Sequence, residues 1–122
     1  MTLKQTFIVN SDLDMGKGKI AGQVLHGGVF YMERILYYHE GDLVAYNQWR
    51  YEHGGLMKKV VLKAPEEEMN NIILKLNDLN IWSHKVFDMG LTQISKDSFT
   101  CLVVEPLPEE MADELFRHLK LL

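Results

Sequence analysis

Apolar and polar positions change period several times along the chain, and each change marks an element. "QTFIVN" is short, β-branched and aromatic and ends in Asn10, Ser11 and Asp12, so it predicts a buried strand running into a turn. From Gly18 onward, apolar or small residues (Ile20, Ala21, Val24, Leu25, Gly28, Val29, Met32, Ile35 and Leu36) recur at spacings of three and four. That period predicts a long amphipathic helix, fading near "HEGD". Asp42 is placed to cap a second helix through Val44, Ala45, Gln48 and Trp49, with Gly54 and Gly55 as its stop. "KKVVLKA" predicts a second strand. Pro65 suits the first helical position of a third helix. Glu66, Glu67 and Glu68 complement its dipole, and Met69, Ile72, Ile73, Leu76 and Leu79 form its apolar stripe. "WSHKVFD" and "FTCLVVEP" predict two more strands, joined through the turn residues of "MGLTQISKDS". "EEMADELFRHLKLL" predicts a closing helix, acidic early and basic late.

This order of elements implies an α/β fold whose sheet has parallel crossover pairing and at least one antiparallel pair. In open sheets of this kind ligands gather beyond the carboxyl ends of parallel strands. The loops after Asn10 and after Phe87 are therefore the places to look for a site. A length of 122 residues is that of one domain, spanning 1–122.

Composition narrows the function classes. With 47% hydrophobic and 25% charged residues the chain is globular in type, and it has no run near the roughly 18 apolar residues of a membrane span. "MTLKQTFIVN" lacks the apolar core and cleavage site of a signal peptide, and the lone Cys101 excludes an intramolecular disulfide framework. A cytoplasmic protein without membrane association is expected. The formal charge of -4 is not that of a dedicated polyanion binder. Phosphate contacts need a local patch, either Lys17 with Lys19 or Lys58 with Lys59 and Lys63.

The chemistry is concentrated in "NSDLDMGKGKIAGQVLHGG". It does not fit G-x-x-x-x-G-K-[ST], because Ile20 follows Lys19, and Ala21 breaks a G-x-G-x-x-G reading. Lys19, Gln23 and His26 stand at i, i+4 and i+7, within about 60° of one another on a helical wheel. They form one polar stripe beside the small residues Gly22 and Gly27, which would admit a ligand or another chain. Spacing alone leaves this open as a working stripe or the polar edge of a surface helix. In the second loop, Asp88 ends a strand with Thr92, Ser98 and Thr100 close behind, a set able to orient water or a ribose and equally able to stabilise a turn. The histidines lack zinc-site spacing, Cys101 sits in an apolar strand, and no G-x-S-x-G elbow is present. No metal or cofactor is expected.

"SDLDMGKGKIAGQVLHG" closely resembles the opening signature of the type 2 peptidyl-tRNA hydrolases, and the similarity continues through Trp49, "KKVVLKAPEEE" and "DMGLTQI". The resemblance implies a single-domain, three-layer fold with a four-stranded mixed sheet flanked by helices. It also implies a homodimer, and hydrolysis of the ester between a peptide and the terminal ribose of tRNA. It brings the two loops into one site: Lys19, Asp88 and His26 as catalytic residues, with Lys17, Gln23, Thr92, Ser98 and Thr100 binding substrate. A rival reading is an inactive module of the same fold that binds a nucleotide or a protein partner. It rests on the altered "DMG", "SKDS" and "VVEP" segments and on the negative charge.

Overall fold

The computed structural model describes residues 2–88 and 97–122. Its strands form one mixed sheet. β1 (Leu3–Asn10) pairs in parallel with β2 (Lys59–Ala64) on one side and antiparallel with β4 (Phe99–Val104) on the other. β3 (Ser83–Phe87) lies outside β4 as an edge strand, also antiparallel. These are the four expected strands. Among the described residues two short ones extend the sheet to six: β5 (Leu107–Pro108) on β1, and β6 (Lys120–Leu121) on the outer edge of β2.

Alternation along β1 sends its side chains into two cores. Ile8 joins Leu62, Leu102 and Val104 beneath α3 (Glu66–Asp78) and α4 (Glu109–Phe116). Phe7 and Val9 join Cys101, Val103 and Val86 beneath α1 (Lys17–Met32) and α2 (Leu43–Tyr51). The result is the three-layer arrangement expected from the sequence. Asp42 caps α2 as predicted, its carboxylate accepting the Ala45 N–H at 3.0 Å.

Three details differ from the sequence pattern. The first helix ends in a π-helical turn, Glu33–Tyr37, and its buried side is Gln23, Gly27, Tyr31 and Ile35, spaced by four. Leu25, Val29 and Leu36, which the period assigns to the core, are exposed. Gly27 rather than a large residue allows the closest approach: a Cβ there would meet Val103 Cβ at 3.0 Å, whereas Gly22 faces open space. Last, the closing helix does not run to the terminus. α4 stops at Phe116, and Leu122 N–H bonds the Val61 carbonyl at 3.1 Å, so the tail completes an open strand edge rather than another helical turn. No helix among the described residues is long and apolar enough to cross a membrane.

Candidate active site

The carboxyl ends of β1, β2 and β3 and the amino end of β4 share one edge of the sheet. The polar residues that end β1 tie that edge together. The buried Asn10 amide donates to the Phe99 carbonyl at 2.8 Å and to Glu66 Oε1 at 3.0 Å, while its Oδ1 accepts the Asp12 N–H at 2.9 Å. Asp12 Oδ2 accepts the Glu66 N–H at 3.0 Å and so caps α3, whose own preceding residue, Pro65, has no side chain to do so. Sequence reasoning read these residues only as a turn; an asparagine closing a buried strand was the available signal.

After this clamp the chain enters α1, which carries the polar stripe over the sheet edge. Lys19 Nζ contacts Asp88 Oδ1, and both side chains are withdrawn from water, at 12% and 3% exposure. The Asp88 backbone is fixed as well, with its N–H donating to the Ser98 carbonyl at 2.9 Å and its carbonyl accepting the Asp97 N–H at 2.7 Å. Ser98 thus supports the loop through its main chain. One turn beyond Lys19, buried Gln23 lies over β4. The fully buried Thr100 hydroxyl stands 2.7 Å from Gln23 Oε1 and 3.1 Å from the Val86 carbonyl, and it donates its single proton toward these oxygens.

Four of the expected residues therefore converge: Lys19, Asp88, Gln23 and Thr100. His26 continues the stripe in an exposed position, its ring stacked on Phe30 with centroids 6.4 Å apart. Lys17 stands on the other flank of α1, beside an apolar groove with Ile20, Val24 and Leu25. Thr92 lies outside the described residues. Glu105 sits where β4 ends, at the opposite end of the β3–β4 pair from Asp88, with its N–H bonded to the Trp82 carbonyl at 3.1 Å. Among the described residues no cluster of three or more His, Cys, Asp or Glu side chains could hold a metal ion. Burial pushes the Cys101 thiol up to about 12, as expected of a packing residue rather than a nucleophile.

A partly buried ammonium–carboxylate pair at the carboxyl edge of a mixed sheet, with a glutamine and a threonine behind it, places this chain among small α/β proteins with a polar, side-chain-built site. Comparison with known proteins makes the class specific. The family model described as Peptidyl-tRNA hydrolase PTH2 matches residues 3–122. A peptidyl-tRNA hydrolase of Sulfurisphaera tokodaii is 37% identical, with all of both chains covered. Those of Thermococcus onnurineus (37% identical, 97% of this chain and 96% of the relative) and Methanothermobacter thermautotrophicus (36%, 98% and 100%) are similar over comparable spans. The chain belongs to the PTH2 peptidyl-tRNA hydrolase family.

Proposed function

We propose that this protein hydrolyses peptidyl-tRNA, cleaving the ester between the peptide and the terminal ribose, in the cytoplasm where translation leaves such esters. The observation that carries this reading is the Lys19–Asp88 pair. Water is the nucleophile. Asp88 orients or deprotonates it, and Lys19 offers a fixed positive charge to the oxyanion that forms at the ester carbonyl or to the terminal phosphate. Desolvation strengthens that charge, since the same ammonium in bulk water would be screened. Gln23, buried against Thr100, positions α1, and the exposed His26 positions substrate along it. Thr100 acts through Gln23, Thr92 and Ser98 act from the loop after Asp88, and Lys17 meets phosphate from the far flank of the helix.

Family membership supports the hydrolase over the inactive module. The position of Glu105 does too, because its charge is remote from the pair. The same reading includes a homodimer, for which the groove of about 790 Å³ beside Ile20, Val24, Leu25 and Leu122 supplies an apolar face. The direct experiment is the release of peptide from purified peptidyl-tRNA. Wild type releases it, and Asp88→Asn lowers kcat/KM by about a hundredfold or more while remaining folded. No release above background from folded wild type contradicts the assignment.

A further inference from the structure

Three segments meet at the sheet edge that carries Lys19 and Asp88: the turn from β1 into α1, the start of α3 and the start of β4. The Asn10 side chain bonds to all three. Asn10 ends β1, is 1% exposed, and shares the face of Ile8 beneath α3. It therefore stands on the opposite side of the sheet from α1 and the reacting pair, and its influence on them runs through main chain.

An irregularity in β4 creates the need for such a side chain. Val86 pairs with Cys101 but Phe87 pairs with Phe99, so Thr100 is an extra residue that bulges the strand. The bulge puts the Thr100 hydroxyl 2.7 Å from Gln23 Oε1, and it carries the Phe99 carbonyl past the end of the β1–β4 ladder, whose last pair is Val9 with Cys101. Beyond that pair the ladder has no rung, and the Asn10 amide supplies the bond to Phe99 at 2.8 Å. Phe99 is one peptide bond from Ser98, whose carbonyl accepts the Asp88 N–H at 2.9 Å. In the other direction, Asn10 Oδ1 accepts the Asp12 N–H at 2.9 Å and its main-chain carbonyl accepts the Leu13 N–H at 3.4 Å, which bends the chain toward α1 and Lys19. The second amide bond, to Glu66 Oε1 at 3.0 Å, ties both arms to α3.

We propose that Asn10 is a positioning residue for the Lys19–Asp88 pair, setting the separation of ammonium and carboxylate through the β4 bulge on one side and the turn into α1 on the other. This rests on the hydrolase reading and extends it to a buried residue that substrate does not touch. A displacement of about 1 Å among reacting groups costs up to about a hundredfold in rate, so a side chain that fixes two loops against each other acts on the chemistry without entering it. Removing the amide leaves the buried Phe99 carbonyl without its donor. The bulge and the turn then shift independently, and the pair opens. A strand-end asparagine that served stability alone would instead cost folded protein, with no loss of rate specific to the pair.

Asn10→Ala, and Asn10→Ser as a milder variant that keeps a hydroxyl donor, are assayed on peptidyl-tRNA in the wild-type and Asp88→Ala backgrounds, with rates referred to the fraction folded by circular dichroism. Asn10→Ala is expected to lower kcat about tenfold or more with KM within about twofold, Asn10→Ser to lower it less, and neither to lower it further once Asp88 is alanine. Where Asn10→Ala does not fold, Asn10→Ser carries the same comparison. In parallel, acetylation of lysine amines by an N-hydroxysuccinimide ester is read by mass spectrometry. Reaction at Lys19 is expected to rise in the variant relative to the exposed Lys17, because an ammonium released from its carboxylate gives up its proton more readily. An unchanged kcat, equal losses in the two backgrounds, or unchanged Lys19 acetylation in a folded variant overturns the positioning role while leaving wild-type hydrolysis intact. Rising Lys19 acetylation with no hydrolysis by wild type does the reverse, keeping Asn10 as the residue that sets the pair and sinking the hydrolase reading.

Discussion

Glu105 is a carboxylate that the fold withdraws from water, and burial raises it above the ordinary carboxylate range. A backbone hydrogen bond at Trp82 and the nearby Arg34 charge pull the other way without cancelling the burial. Below its unfolded value near 4.5 the group is protonated in both states and imposes no penalty. As pH rises through the raised folded value, the native state must hold the charge in its half-buried site, and stability is lost. Glu105→Gln is therefore expected to unfold at higher urea than wild type at pH 7, with the gain shrinking as pH falls and disappearing in the acid range below 4.5. A gain that persists unchanged at low pH would assign the effect to packing instead.

Helix α1 joins core, site and surface on one element, and its two glycines separate packing from propensity. Gly27→Ala adds a Cβ at 3.0 Å from Val103 Cβ, between a helix and a sheet that have little room to part. Such overpacking costs about 1–3 kcal/mol, against a propensity gain of about 1 kcal/mol. Gly22→Ala meets nothing within 4 Å and keeps the propensity gain alone. Thermal unfolding should show a lower midpoint for the first variant and a higher one for the second; a rise in both would mean that α1 is not seated as tightly on the sheet as described. The same helix shows what could be read from sequence and what could not. Its existence, the Lys19, Gln23 and His26 stripe, and the neighbouring Asp42 cap follow from local spacing and capping chemistry. Its buried side does not, because Gln23 and Gly27 look unlike core residues until Thr100 and Val103 are seen beneath them. The clamp of Asn10 and Asp12 onto Phe99 and Glu66 was hidden for a similar reason, since its partners are 54 or more residues apart in sequence. β6 escaped notice because two residues have no period, and only the open edge of β2 gives them a strand partner.

At the scale of the molecule, the sheet sets the site. Strands β1 and β3 both end at the edge where α1 begins, so Lys19 and Asp88, 69 residues apart, meet as a consequence of topology. The sequence placed both loops at that edge; the contact between these two side chains needed the strand order. If the pair acts as one unit, its members are not independent contributors to the barrier. The most direct test is a double-mutant cycle in kcat/KM for peptidyl-tRNA, using Lys19→Ala, Asp88→Ala and the double variant, each confirmed to be folded. Each single change should cost about a hundredfold or more, and the double variant about as much as the worse single. Losses that multiply, or a single variant that keeps near wild-type turnover, would contradict the pair as the working centre.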